Sequence, residues 1–490
     1  MWVDFPNDLP YPRTGPKTNV CERMTMIRTP LMIVPFFLAF VLVSCSSATI
    51  SNQLRTDAVS LEFPASAGIS GRSLIGGGGM DLARKVICSS DGRCALFGYG
   101  IKSFTESTDF LMAMEAEDHK LLWGKTYGGT HKDELRTAIA TLDGGYLLFG
   151  ESQSLFFTPL KVISPNRPPR PFIVKVDSSG NIQWADTIEP NESYLMNVEE
   201  TTEGNYIFVG TTYGTQRKQK QGIIVINLAQ DGKLNWAVRY DPDLYSYGYV
   251  VETFQGGTLM AGNTGRHDAS GSLLIAHLDL QGKAVWGKLY SSDERLIPLS
   301  STKDGLGGYL VAGNINEKNG RKGGFIIRIS PAGKILWSRS YKRTQSLELL
   351  SVTKGHNDDF LLVGRSGNVQ EGKQDGCAVL IDGNGIIKTA TLIGGNANDE
   401  LLSASKLGQS QYRLLGDTAS FNAKYVDMLS ADWNPYSANI AGLDLAITTG
   451  DIMMSGGDVD LTQARAELET RPIAPSLLEL NTLSVTEQSK

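Results

Sequence analysis

The chain has 490 residues, 41% apolar and 20% charged, which is enough to bury a large core and too apolar for a disordered chain. Its 53 glycines follow no three-residue period; collagen is excluded, and the many short apolar runs point to a turn-rich β protein. The formal charge of −6 gives no chain-wide basic field for nucleic acid, and five cysteines and five histidines argue against a disulfide-built scaffold or a zinc module.

Residues 1–23 are polar and Pro-rich and sit awkwardly before a signal-like segment, so Met24 or Met26 is a natural start. Residues 31–43 read LMIVPFFLAFVLV, shorter than the roughly twenty residues of a comfortable membrane span. Arg28 precedes this run and Ser44-Cys45 follow it, the pattern of a secretory signal. The exit Leu42-Val43-Ser44-Cys45 resembles the lipobox of bacterial lipoproteins. That resemblance implies cleavage before Cys45, lipidation of Cys45 and, because Ser46 and Ser47 follow, an outer-membrane address facing the periplasm. Several acyl chains would hold the protein on a bilayer without a spanning helix. An ordinary cleaved signal and an uncleaved anchor are the other readings of the segment. The expected order is a signal over 1–44 and a lipidated, Ser- and Gly-rich tether over 45–74.

A strand-like phrase then recurs: GGYLLFG at 144–150, GNYIFVG at 204–210, GGTLMAG at 256–262 and GGYLVAG at 307–313, with weaker copies ending at Gly98, Gly364 and Gly416. The terminal glycines are spaced by 52, 60, 52, 51, 51 and 52 residues. A second phrase runs out of step: an apolar strand, a Gly turn and a Trp, as in IVKVDSSGNIQW at 173–184. Its tryptophans are Trp123, Trp184, Trp236, Trp286 and Trp337, with Lys388 in that place in the next copy. Alternating residues on both sides of a tight turn read as a β-hairpin. Each unit therefore reads as four strands that cannot bury both faces alone, and seven copies stacked radially would form one continuous core. The fold class predicted is all-β, a seven-bladed β-propeller of four-stranded blades over 75–440, with a linear solenoid as the alternative. The Trp is expected on the outer strand between blades, and the repeated Gly at a strand end where φ or close packing excludes a side chain.

The combined pattern, GG-x₃-DE, DGGYLLFG, FIVKVDSSGNIQW and YGG, resembles the SBBP-type β-propeller repeats of bacterial secreted and surface proteins over about 350 residues. The D-x-x-G-x-x-x-W phrase is more loosely similar to the propeller lipoprotein of the outer-membrane β-barrel assembly machinery, from which the 51-residue period and the GG-x₃-DE element depart. These resemblances imply a fold and leave the function open.

The seventh unit loses the pattern after Trp433, so its fourth strand is expected from 440–448 (IAGLDLAIT) or from SLEF at 60–63, with the C-terminal source favoured. The extension 441–490 is expected to close that blade and then become a short polar tail, with one helical stretch over 459–470 (VDLTQARAELET) ended by Arg471-Pro472.

Cys88 and Cys94 flank SSDGR and face each other if the segment is a hairpin, so they read as a disulfide or as two small core residues. Asp81, Asp133 and Asp399 each lie 17 residues before a repeat glycine, Glu134 and Glu400 follow two of them, and units seven, one and two would be neighbours in a ring. The group reads as an acidic arc for a cation or basic partner segment, or as three loop caps. Unit two carries an insertion, 151–171, whose Phe156, Phe157 and Leu160 would present a partner loop or cover the blade.

No HExxH, GxSxG or phosphate-loop motif occurs, so no catalytic residue is assigned, no cofactor is expected and a metal is left open. The function expected is a non-enzymatic, membrane-anchored scaffold that binds another envelope protein, as a monomeric ring or part of a complex. The alternative is a propeller enzyme or glycan-binding module with its site at the channel mouth.

Overall fold

The computed structural model describes residues 53–57, 69–76, 79–101, 107–154, 169–189, 193–212, 221–241, 245–254, 256–265, 272–292, 294–317, 320–368, 373–420, 425–437, 448–451, 455–458, 462–465, 469–472 and 479–487. These form a seven-bladed β-propeller, and every regular element among them is a strand. Blade 1 is Asp81–Cys88, Cys94–Ile101, Thr108–Glu115 and Leu121–Gly128. Blade 2 is Asp133–Ala140, Tyr146–Ser152, Arg170–Val176 and Ile182–Glu189. Blades 3 to 6 span 193–241, 245–291, 295–342 and 346–393. Within each blade neighbouring strands are antiparallel.

The core divides into seven apolar clusters, and each is shared by two adjacent blades. Phe97 and Phe110 of blade 1 pack with Leu148 and Phe172 of blade 2, for example, and the last cluster joins Leu415 and Met428 of blade 7 to Val86 and Leu96 of blade 1. Blades are sandwiched on both faces, so their second and third strands read as nearly unbroken apolar runs. The linear alternative fails, because a stack would leave two terminal faces without a cluster.

The repeat glycine has a single cause in all seven blades. It pairs with the position where the first strand bulges: Gly98 faces the step from Ala83 to Lys85, and Gly416 the step from Leu401 to Ser403. The bulge drives a backbone carbonyl onto the glycine, so that a Cβ at Gly98, Gly150, Gly210, Gly262, Gly313, Gly364 or Gly416 would lie 1.8–2.3 Å from that oxygen. None of the seven has a positive φ, and each stands inside its strand rather than at its end. Close packing, not backbone twist, excludes the side chain.

The tryptophans sit near the start of the outer strand and press on the turn glycine of the next blade. Trp236 meets Gly282 and Trp286 meets Gly333, and those glycines have φ of 78° and 73°. Trp184 and Trp236 also donate their indole N–H to the Gln230 and Leu280 carbonyls of the following turn. Four residues on, Tyr127, Tyr290 and Tyr341 donate to the carbonyls of Gly180, Gly333 and Gly385. Register places Thr389, not Lys388, at the sixth Trp position: Leu380 pairs with Thr389 as Arg328 pairs with Trp337.

Ring closure departs from both expected sources. The fourth strand of blade 7 is Ile69–Gly76, paired with Asp427–Trp433 behind Asp399–Leu407 and Gln411–Thr418. SLEF and residues 440–447 lie outside the described residues. Ile69–Gly76 wins because it leads into Asp81 just as every other outer strand leads into the next blade, and it buries Leu74 and Ile75. The stretch expected as a tether thus carries two strands, since Gln53–Asp57 pairs with Leu74–Gly76.

The C-terminal helix and loose tail are likewise corrected. Thr448–Asp451, Ser455–Asp458, Thr462–Arg465 and Glu469–Pro472 add a fifth strand to blades 5, 4, 3 and 2 in turn, and Glu479–Glu487 adds one to blade 1. The last then pairs in parallel with Gln53–Asp57, joining the two chain ends. A twelve-residue helix is marginal alone, whereas each outer edge offers unpaired backbone groups to a strand.

Candidate functional site

First strands begin, and second strands end, at one end of the ring, which we call the mouth. The residue after the repeat glycine lies near this end and turns to the next blade: Tyr99, Thr211, Asn263, Asn314, Arg365 and Asp417 are buried polar or aromatic groups at this position that pack on or bond to the following blade. Their charged members join neighbouring blades. Lys322 of blade 5 lies 3.2 Å from Glu348 of blade 6. The Arg365 guanidinium donates to both Glu348 oxygens at 3.1 Å and to Glu400 of blade 7 at 2.8 Å. Glu400 pairs in register with Asp417, and Asp417 accepts the Ala83 N–H of blade 1 at 2.6 Å. Arg84 then donates to the Tyr99 hydroxyl at 2.9 Å and lies over its ring.

Burial, followed by the neighbouring Glu400 charge, pushes Asp417 up to about 8. When protonated it can donate to Glu400, which leaves the chain of ions alternating in sign. Burial alone would raise Glu348, but Arg365 and Lys322 hold its carboxyl below the usual range.

A second group lies in the channel on first strands of four blades. Glu199 of blade 3 and Glu252 of blade 4 interact, with Lys85 of blade 1 and Lys303 of blade 5 acting on both. Glu252 accepts a hydrogen bond from Ser301 at 2.9 Å. Burial and then Glu252 push Glu199 up to about 8, while burial raises Glu252 against the Ser301 bond. Two neighbouring buried carboxyls, both raised, are groups an acid–base or hydroxyl-binding site would use.

A third group closes the seam between blades 7 and 1. Buried Arg413 donates to Glu115 and, at 2.6 Å, to Asp432. Ser430 donates to Glu115 at 2.8 Å, and His119 lies 3.0 Å from Asp432 and 3.4 Å from Glu115. Other blades carry Val176, Leu228, Leu278, Ile329 or Ile381 where blade 1 has Glu115.

Asp81, Asp133 and Asp399 each begin a first strand at the mouth, as expected. Among the described residues no three His, Cys, Asp or Glu side chains are placed to hold a metal. Asp133 accepts the Gly129 N–H at 2.7 Å and the Ser154 hydroxyl at 2.8 Å. Asp399 accepts the Gly395 N–H at 2.8 Å and the Ser420 hydroxyl at 2.7 Å. Asp133 and Asp399 thus cap the GG-x₃-D loop, and burial pushes Asp133 up to about 6. Glu400 belongs to the ion chain, whereas Glu134 pairs in register with Glu151 and its charge helps raise that carboxyl.

Cys88 and Cys94 are bonded to each other across the hairpin, and Cys377 is buried and unbonded. Cys45, Phe156, Phe157 and Leu160 lie outside the described residues. Sequence reasoning missed Glu115, Arg413, Arg365, Asp417, Glu199 and Glu252. Their signal was available: each is a charge at a repeat position where most other units carry an apolar or neutral residue.

In comparison with known proteins, no family model and no curated sequence matches. Solved structures share the propeller at low similarity. The chain is similar to polysaccharide lyase Uly1, with 8% identity, TM-score 0.45, and 79% of this chain and 98% of that one covered. It is similar to the Pyrococcus horikoshii acylaminoacyl peptidase at 10% identity and TM-score 0.41, covering 71% of this chain and 50% of that one. Puromycin hydrolase gives 11% identity and TM-score 0.36, covering 73% and 52%. Similarities of this size carry no argument about chemistry.

Proposed function

We propose that the protein is a non-catalytic scaffold of the bacterial cell envelope, held by lipid on Cys45 at the outer membrane, that presents its ring to another envelope protein. The observation that supports this best is the commitment of the mouth's charges to one another. Lys322, Glu348, Arg365, Glu400, Asp417 and Arg84 run blade to blade and stiffen the ring, leaving no base of that chain aimed at a substrate. A scaffold needs a rigid frame, and a hydrolase needs an available acid and base. The lipobox-like exit supports the address. Mass spectrometry of the N-terminal peptide from envelope fractions tests the anchor: a diacylglyceryl-modified Cys45 is expected, and a bare Cys45 refutes it. Crosslinking in intact cells tests the scaffold, which fails when no partner is reproducibly captured.

The second reading, a glycan-binding or enzymatic channel, is favoured by the Glu199–Glu252 pair. Screening oligosaccharides by calorimetry against the chain and its Glu199→Gln variant separates the two. Binding abolished by the substitution would establish this reading.

A further inference from the structure

Near the end of each first strand, away from the mouth, one residue pairs with the position four before the repeat glycine. Blades 1 to 4 carry Cys88, Ala140, Glu200 and Thr253 there. Blades 5, 6 and 7 carry Lys303, Lys354 and Lys406, paired in register with Tyr309, Phe360 and Tyr412. Three adjacent inner strands thus bring a lysine to the same register position of the channel rim, in a chain whose formal charge is −6.

Little at this rim offsets them. Lys303 and Lys406 are exposed, and among the described residues neither makes an ion pair. Burial and then the Lys354 charge hold Lys406 below its ordinary value, so those two ammonium groups lie close enough to repel. Lys354 pairs with Asp358 at 2.8 Å, but that carboxylate is 59% exposed, and such a surface pair is weak and exchangeable. The other acids in the turns that follow are taken, Asp304 by Arg328 at 2.9 Å and Asp359 by Lys388 at 2.8 Å. Inside the channel Lys303 acts on Glu199 and Glu252, whose carboxyls burial raises.

An aliphatic group lies within the row. Lys354 Nζ sits 4.3 Å from the centre of the Phe360 ring and reaches the turn of blade 5, where a Cβ on Gly305 would lie 3.6 Å from Lys354 Cε and 4.0 Å from its Nζ. Leu306 is next in that turn and is 74% exposed. Across the same end the sign reverses: Glu200 holds the register position in blade 3, and Glu203 stands exposed in the turn after it.

We propose that this rim of blades 5, 6 and 7 docks an acidic segment of the partner protein that also carries an aliphatic residue, its carboxylates meeting Lys303, Lys354 and Lys406 and its aliphatic side chain meeting Leu306. Ammonium groups are point charges without the fork that fixes a carboxylate's orientation, so a row of them selects charge over shape. Charges spread over three strands suit several anionic groups along one chain better than a single phosphate, and Leu306 gives an inorganic anion nothing to contact. The acids of blade 3 repel the segment and confine it to this side. The inference deepens the scaffold reading and rests on it.

The test places a photocrosslinking amino acid at Leu306 in the full chain in cells and, separately, at Tyr425 near the mouth. Leu306 adducts should map to a segment with acidic residues and an aliphatic one. A synthetic peptide of that segment should bind the purified full chain, less tightly as salt rises. Lys303→Glu with Lys406→Glu should weaken that binding about tenfold or more without changing Tm, and replacing the peptide's acids by Lys should restore it. Leu306→Asp should weaken it independently. Adducts with phospholipid, with a second copy of the chain or with a segment lacking either feature overturn the inference, as does binding that ignores these variants. Adducts from Tyr425 alone overturn this surface and keep the scaffold; none from either position overturns both.

Discussion

Gly71 in the closing strand of blade 7 faces His119 in the turn of blade 1, and the pair inverts the arrangement of five other seams. Those place Trp123, Trp184, Trp236, Trp286 or Trp337 on the outer strand and a turn glycine opposite. Here the outer strand supplies Gly71 and the turn supplies His119, which adopts φ 65° where the others have glycine. A Cβ on Gly71 would lie 2.7 Å from His119 Nε2, so the imidazole fills the space the indole fills elsewhere.

The exchange makes the seam sensitive to pH. Burial lowers the His119 pKa, but the hydrogen bond to Asp432 and the Glu115 carboxylate 3.4 Å away outweigh it and hold the group above its ordinary value. A histidine raised in the folded state stabilises fully below its unfolded pKa of about 6.5 and loses that contribution as pH rises through the folded value. His119→Gln should therefore destabilise the fold more at pH 5.5 than at pH 9, by about 1–3 kcal/mol at the lower pH. Equal losses at both values in thermal denaturation would show that His119 acts only by packing.

Arg413 and Glu115 supply the charge at the same seam from positions 298 residues apart. Removing one partner of a buried pair leaves an uncompensated charge and typically costs about 3–5 kcal/mol. Arg413→Leu should show that loss in urea unfolding. Combined with Glu115→Val and Asp432→Asn, it should recover much of it, because other blades carry apolar residues at the first two sites. A triple variant less stable than Arg413→Leu alone would contradict this account.

Much of the frame was legible because its causes are local and repeated. The Gly and Trp phrases recur near 51 residues, and one hairpin read correctly reads them all. The closing strand was missed although its mark was present: Gly76-Gly77 stand before Asp81 as Gly128-Gly129 stand before Asp133, the signature of an outer strand leading into the next blade. The C-terminal strands were missed for a different reason. Their starts, Thr448, Ser455, Thr462 and Glu469, keep a seven-residue step, but edge strands of four residues carry no apolar alternation of their own. The ion groups depend on pairs such as Arg365 and Glu400, whose proximity exists only once blades are adjacent.

The bulge explanation of the repeat glycine separates two kinds of substitution. A Cβ at Gly313 would lie 1.9 Å from the Ile297 carbonyl oxygen and 2.8 Å from Pro298 Cα, so backbone must move. At Gly320 φ is 83° but nothing lies within 4 Å. Gly320→Ala should cost about 1–2 kcal/mol of left-handed strain, and Gly313→Ala about 3 kcal/mol or more from overpacking a rigid sheet. Equal Tm shifts in the two variants would refute a steric role for the repeat glycine.

The C-terminal strands act on the ring as a belt wound against its blade order, from blade 5 to blade 1, before meeting Gln53–Asp57. Each short strand forms only a few backbone hydrogen bonds, worth about 1 kcal/mol apiece before ordering entropy is subtracted. Their larger effect is to cover part of the outer edge of five sheets that would otherwise template pairing between molecules. Ending the chain at residue 447 should therefore leave the seven inter-blade clusters and their near-ultraviolet circular dichroism intact. It should lower Tm by several degrees and shift the protein toward higher oligomers in size-exclusion chromatography with light scattering. A truncated chain that stays monomeric at the same Tm would show that the belt contributes neither closure nor edge protection, and the joining of the chain ends would then need another explanation.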